Sequence, residues 1–216
     1  MSVKDMWKGM MTIKVLLVFV GMMLWLTGVT ALWIAVGILL LIGAGFISFR
    51  QGQGSGHEAC GVSKSIARVE HAQDKPHEID PKLAREAWSV SNGVRAIFAG
   101  AAIGYIINAV YIIMMLLNVA EEAPMFVARL FSLVATIPYY PIVAYWVPTY
   151  TELVPALVAV MMIGPFVLPA CQFAGYMCGP KLWEKTEKAM KDGKRRAKAR
   201  SRIVKKRQPK VQKPEI

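Results

Sequence analysis

The sequence predicts an all-α fold: a polytopic helical membrane protein of about four transmembrane helices in two hairpins, with a cytoplasmic helical loop between them and a basic cytoplasmic tail. Three observations carry this. The 216 residues are 55% hydrophobic and 19% charged, against about 25% charged in soluble globular domains. Stretches 15–49, 96–120 and 153–180 contain no charged residue, and apolar runs of about 18 or more can cross the hydrocarbon as helices. The basicity is concentrated in 181–216, where 15 Lys/Arg and 4 Asp/Glu account for +11 of the chain's net +12.

The first stretch is too long for one span. Its 35 residues would make a helix of about 52 Å, while the hydrocarbon core is about 30 Å thick. Two spans fit, one from Met10 with Lys14 snorkelling at its inner end, the other from Ala31 to Phe49 and stopping at Arg50. The turn between them falls at Thr27-Gly28-Val29-Thr30. Val29-Thr30-Ala31 has the form of a signal-peptidase site after Lys4 and Lys8, but the apolar run continues for 18 residues past Ala31, which favours an uncleaved hairpin. The third span is Ala96 to Asn118, between Arg95 and Glu121-Glu122, and the last is Val154 to Met177, ended by Gly179-Pro180.

Lys/Arg excess marks the cytoplasmic side. It places the N-terminus, the segment Arg50–Arg95 with seven Lys/Arg, and the tail inside. The third span then exits at Glu121 and the last must return, so 123–152 crosses an even number of times. Pro138, Pro141, Pro148 and five Tyr/Trp between Tyr139 and Tyr150 suit an external interfacial or re-entrant segment with a helix from Pro124 to Leu133. Four regions follow: a hairpin at 1–49, a cytoplasmic loop at 50–95, a second pair at 96–179 with its external segment at 121–152, and a tail at 180–216. The setting is the cell (inner or plasma) membrane with both termini cytoplasmic.

In the loop, Gln51–Gly56 (QGQGSG) reads as a flexible connector. It lacks the Gly-Lys-Ser/Thr of a phosphate-binding loop. Helical spacing of Val62, Ile66 and Val69 predicts a short helix at Ser63–Gln73. Asp80-Pro81 starts a second, with Leu83, Ala84, Ala87 and Trp88 as its stripe and Ser91-Asn92-Gly93 as its end. This hairpin is expected on the membrane surface or against the inner ends of the spans.

His57, Cys60, His71 and His77 could be imagined as a zinc set, but the spacing matches no Cys/His template and no metal is expected. His57-Glu58 lacks the second histidine of a zinc-protease helix, since Gly61 holds that place. Cys60 shows no spacing that would pair it with a base. No catalytic residue and no cofactor follow. Cys60, Cys171 and Cys178 make no disulfide framework.

Inside the spans the notable polar residues are Asn108 and Gln172. Asn108 follows Gly100 and Gly104, a pattern for close helix contact bridged by an amide. It is also the candidate for a polar intramembrane site. Pro165 and Pro169 predict a kink in the last span. The absence of acidic residues there argues against proton-coupled transport.

The tail carries the strongest functional signal. Lys181–Lys191 predicts a helix with Leu182, Trp183, Ala189 and Met190 toward lipid, interrupted at Asp192-Gly193. Lys194, Arg195, Arg196, Lys198, Arg200, Arg202, Lys205, Lys206 and Arg207 follow as a lipid- or phosphate-binding cluster. Anionic lipids and the bilayer are its expected partners, with a protein partner or ribosomal RNA at 194–207 as the alternative.

Gly56-His57-Glu58-Ala59-Cys60, Phe166-Val167-Leu168-Pro169 and Gly179-Pro180-Lys181-Leu182-Trp183 resemble a family of small bacterial multi-pass membrane proteins. The resemblance implies a bacterial inner membrane and carries no activity. More loosely, the chain is similar to membrane insertases, which join a cytoplasmic helical hairpin to a basic tail; they have more spans after the hairpin, and a groove arginine that this sequence lacks. Together these features predict a non-enzymatic accessory or scaffold protein, with a small transporter or an insertase-like, ribosome-contacting factor as alternatives.

Overall fold

The structure, a computed structural model, describes residues 3–26, 30–72, 81–117, 123–144 and 153–207. All regular elements among them are helical: α1 (Val3–Leu26), α2 (Thr30–Ala72), α3 (Pro81–Glu86), α4 (Val90–Leu116), α5 (Ala123–Thr136), a 3-10 turn (Tyr140–Ile142), α6 (Pro155–Met177) and α7 (Gly179–Arg207). Two are long and apolar enough to cross a membrane: α2, and α6 continued into α7. α4 is a third if its halves, bent by 47° between Ala99 and Ala101, form one span. The apolar part of α1, Met11–Leu24, is shorter.

The helix following the predicted first turn does not end at Arg50. α2 runs 43 residues, about 64 Å, straight through Gln51–Gly56. The flexible connector expected there is therefore helix, as is the separate helix expected at Ser63–Gln73. The reason is tertiary. Gly52 and Gly56 lie on α2 four residues apart, and Gly175 and Gly179 lie four apart on α6 and α7. A Cβ on Gly52 would overlap the Gln172 carbonyl, one on Gly175 the Phe49 carbonyl, and one on Gly56 or Gly179 the facing backbone. Two small-xxx-small faces thus meet main chain to main chain, the contact that lets helices approach most closely. Gly45 and Gly61 continue the series: a Cβ added to them would lie 3.5 Å from the Cys171 Sγ and 2.9 Å from the Trp183 ring. Residue numbers rise together on both helices, so α2 and α6–α7 run parallel.

The remaining helices arrange around this pair. α4 runs antiparallel to α6: a Cβ added to Gly93 would come within 2.5 Å of the Tyr176 ring, and one on Gly104 within 3.5 Å of Pro165. Leu17 of α1 packs with Ala44, Tyr139 and Leu168. Pro165 and Pro169 lie inside α6 without ending it.

The ends of the helices also differ from expectation. Ser91–Gly93 is no break: Ser89 caps α4, its side chain accepting from the Asn92 N–H at 3.0 Å, so the interruption falls at 87–89. Gly179-Pro180 does not stop the last helix; α6 yields only at Cys178 before α7 begins. Asp192-Gly193 does not interrupt α7 either.

The segment after α5 enters the bundle. After α5 the chain turns at 137–144, and Ile137, Tyr139, Tyr140, Val143 and Ala144 are buried. Tyr139 sits 2.8 Å from where a Gly164 Cβ would be, Pro141 2.5 Å from one on Gly37, and Ile137 3.3 Å from one on Gly21. Tyr140 packs its ring on Trp33 at 5.2 Å. Three glycines thus leave the slot in which the turn is seated, so the turn packs among the helices. Residues 27–29, 73–80, 118–122 and 145–152 lie outside the described residues, including most of the predicted first turn, Asp80 and His77.

Gly52→Ala should destabilise the protein by about 1–3 kcal/mol or more through overpacking. Gly54→Ala, two residues away with open space around it, should stabilise it by about 0.5–1 kcal/mol through helix propensity. Unfolding in mixed micelles measures both; equal effects would mean that the segment is a linker after all.

Candidate functional site

Asn108 is fully buried. Its Nδ2 donates to the Met161 carbonyl at 2.6 Å. In an uninterrupted helix that carbonyl would accept from the N–H of residue 165, which is Pro165 and has none. The amide of α4 therefore fills the vacancy that a proline opens in α6. Its Oδ1 accepts from Ser132 Oγ (2.9 Å) and Thr136 Oγ1 (3.4 Å), both fully buried on α5. One side chain ties three helices together, which makes Asn108 a structural clamp. Ser132 and Thr136 were missed from the sequence; their only signal is a four-residue spacing that puts both hydroxyls on one face.

Gln172 is not brought to Asn108. It lies eleven residues beyond Met161, about 16 Å along the α6 axis. It is 1% exposed, and its Oε1 and Nε2 lack a hydrogen-bond partner, as does the Oγ of Ser48 on α2, also 1% exposed. Ser48 lies one turn before Gly52, on the helix that meets the Gln172 backbone there. Sequence reading picked out Gln172 and missed Ser48.

The second candidate region is where α2 and α7 continue side by side beyond Arg50 and Gly179. The Thr186 hydroxyl donates to backbone carbonyls of α7 (Trp183 O, 2.8 Å), so at 2.9 Å it accepts from His57 Nε2–H. The His57 and Trp183 rings are 4.9 Å apart, and Lys64 lies over Trp183 at 5.7 Å. Lys64 also pairs with Glu187, which Lys191 reaches at 2.9 Å. Hydrogen bonds from Lys64 and then Lys191 hold the Glu187 carboxyl down at about 2. The connection before α4 clasps the same place: Trp88 N–H donates to Ser63 Oγ at 2.8 Å, and Trp88 stacks on Tyr176.

This corrects two expectations. Trp183 faces α2 rather than lipid, and the loop's first half packs along α7 as a two-helix stalk. Gly179, Trp183, Thr186 and Glu187 meet α2, whereas Met190, Gly193 and Ala197 farther along α7 are exposed. Lys194, Arg195, Arg196 and Lys198 are exposed on α7. Arg200, Arg202, Lys205, Lys206 and Arg207 follow on the same helix, their side chains outside the described residues. Counting from Gly179, the cluster begins about 22 Å along the helix and ends about 42 Å along it.

No nucleophile or metal centre emerges among the described residues. No group of three or more His, Cys, Asp or Glu converges. Burial pushes the Cys60 thiol up, with Lys64 opposing and Glu184 adding, so it is a poor thiolate source. The His71 side chain lies outside the described residues. No protein-family model, curated protein or solved structure matches the chain.

Asn108→Leu should cost about 1–2 kcal/mol, and adding Pro165→Ala, which restores an N–H for the Met161 carbonyl, should recover more stability there than in the parent. Additive effects in that double-mutant cycle would refute the clamp. Glu187 has a depressed folded value, so its contribution is complete above its ordinary value of about 4.5 and is lost as pH falls toward about 2. Spin labels at Arg68 and Lys194 should separate across that window, and Glu187→Gln should remove the pH response while loosening the pair at neutral pH.

Proposed function

We propose that this chain is a four-span protein of the cell membrane with both termini cytoplasmic, acting as a non-enzymatic scaffold that holds a basic helix out into the cytoplasm for a partner. The observation that carries this reading is the α2–α7 stalk: α2 lies along α7 from Gly56–Gly179 to Lys64–Glu187, and beyond it Lys194, Arg195 and Arg196 are exposed on the same helix. The helix directions support the topology. α2 and α6 are parallel while α1 and α4 oppose them, as four spans with an inserted, returning segment between the third and fourth require. Arg50, Arg95 and Lys181 then share one end, in accord with Lys/Arg on the cytoplasmic side, and anionic lipid is their natural counterpart at the base of the stalk.

A small transporter is the second reading. It is favoured by Gln172 and Ser48, buried on facing helices without partners, and opposed at Asn108, whose oxygen and one N–H are already committed within the bundle.

Truncation after Asp192 removes the distal cations and keeps the α2–α7 contacts through Glu187. The shortened protein should retain its thermal stability to within a few degrees and lose whatever soluble partner co-purifies with the full chain from native membranes at physiological salt. An unchanged set of co-purifying molecules would overturn the scaffold reading, and a solute-dependent rise in stability abolished by Gln172→Leu would put transport in its place.

A further inference from the structure

We propose that the distal part of α7, Lys194–Arg207, binds the phosphate backbones of duplex DNA. The inference deepens the scaffold reading and rests on it, since it requires α7 to stand in the cytoplasm. Nine of these fourteen residues are Lys or Arg and none is acidic. Such a cluster must meet an anionic partner, and four kinds are available.

Lipid is disfavoured by distance. α7 continues α6 away from the bundle, so the cluster lies about 22–42 Å beyond Gly179. Electrostatic attraction to a charged surface decays over about 8 Å at physiological salt. α2 lies along the first part of α7 and supports its direction, from Gly56 beside Gly179 to Lys64 beside Glu187. Single-stranded nucleic acid is disfavoured because stacking needs aromatic side chains. The last aromatic residue is Trp183, already packed on His57 and Gly61. A protein groove is disfavoured because the segment offers only Ala197, Ala199, Ile203 and Val204 as apolar residues, with no Trp or Tyr to anchor an interface.

Duplex remains, and the shape of the helix decides which. A preformed α-helix about 10–12 Å across enters the B-form major groove, about 12 Å wide. The deep, narrow major groove of A-form RNA does not admit it. At helical periodicity the nine cation positions are spread over about two thirds of the circumference of α7. A helix lying in a groove meets one phosphate backbone on each side, and positions spread that widely supply cations to both. The segment has no Asn or Gln, the usual readers of adenine, so binding is to phosphates and independent of sequence.

The test uses the full-length protein in nanodiscs of zwitterionic lipid, with fluorescence anisotropy of a 20-base-pair DNA duplex, the matching RNA duplex and a single strand. DNA duplex should bind at least about tenfold more tightly than either, and with about four phosphates neutralised its affinity should fall about tenfold for each doubling of salt. Replacing Lys194, Arg196, Lys198 and Arg200 by Glu should abolish binding, whereas Lys185→Gln with Lys188→Gln should change it less than about threefold. Equal or tighter binding of duplex RNA or the single strand would overturn the proposal. So would loss of the DNA signal at physiological salt, association only with vesicles containing anionic lipid, or retention only of an acidic protein. Labelling of Ser201→Cys separates the two levels. Reaction in inverted vesicles alone keeps the scaffold reading whatever the DNA result, and reaction in intact cells removes both.

Discussion

The close approach of two parallel main chains, Gly52 and Gly56 on one and Gly175 and Gly179 on the other, is the constraint on which the other contacts depend. Where the glycine Cα atoms meet each other and the facing carbonyls of Phe49, Gln172 and Tyr176, no side chain larger than hydrogen can intervene, so the crossing has essentially one register. That register sets Gly45 beside Cys171 on one side of the crossing and Lys64 beside Glu187 on the other. A single packing event thus orders both the apolar bundle and a polar helix pair that extends from it. The polar pair needs this help: α7 beyond Gly179 is rich in like charges, and an isolated helix of that composition gains little from its own surface.

The same economy of backbone groups governs the interior. Each proline in α6 releases a carbonyl, and an unpaired carbonyl is costly where water is excluded. Asn108 supplies the missing donor for Met161, and its oxygen then collects the two hydroxyls of α5. The inserted turn at 137–144 is held through that clamp and through the glycine-lined slot that takes Ile137, Tyr139 and Pro141. At Gln172 and Ser48 no such closure exists, which makes that level of the α2–α6 contact chemically different from the level of Asn108.

Functionally, the two halves of the molecule divide the work. The bundle gives rigidity and the stalk gives reach. A cationic segment free to lie on a bilayer would be a topology signal and little more. In the scaffold we propose, pairing with α2 makes it a projecting arm for a soluble partner.

Much of this was legible in the sequence. Apolar runs at 15–49, 96–120 and 153–180 identify the long helices because a backbone in an apolar medium has to bond to itself. The Lys/Arg distribution marks one end of them, and the cationic cluster is plain from composition. The register between helices was not legible. QGQGSG has a linker's composition, and its glycines become a packing face only when Gly175 and Gly179 lie opposite. Nothing local distinguishes a glycine that permits flexibility from one that permits contact. Asn108 could be singled out as a buried amide, but its partner, a carbonyl left free by a proline 57 residues later, exists only once α4 and α6 are antiparallel. Composition and periodicity therefore determined which segments are helical and where the charge lies, since these depend on neighbours along the chain. The tertiary structure decided where helices end, which faces meet and which way the basic arm points, because those depend on contacts between residues far apart in sequence.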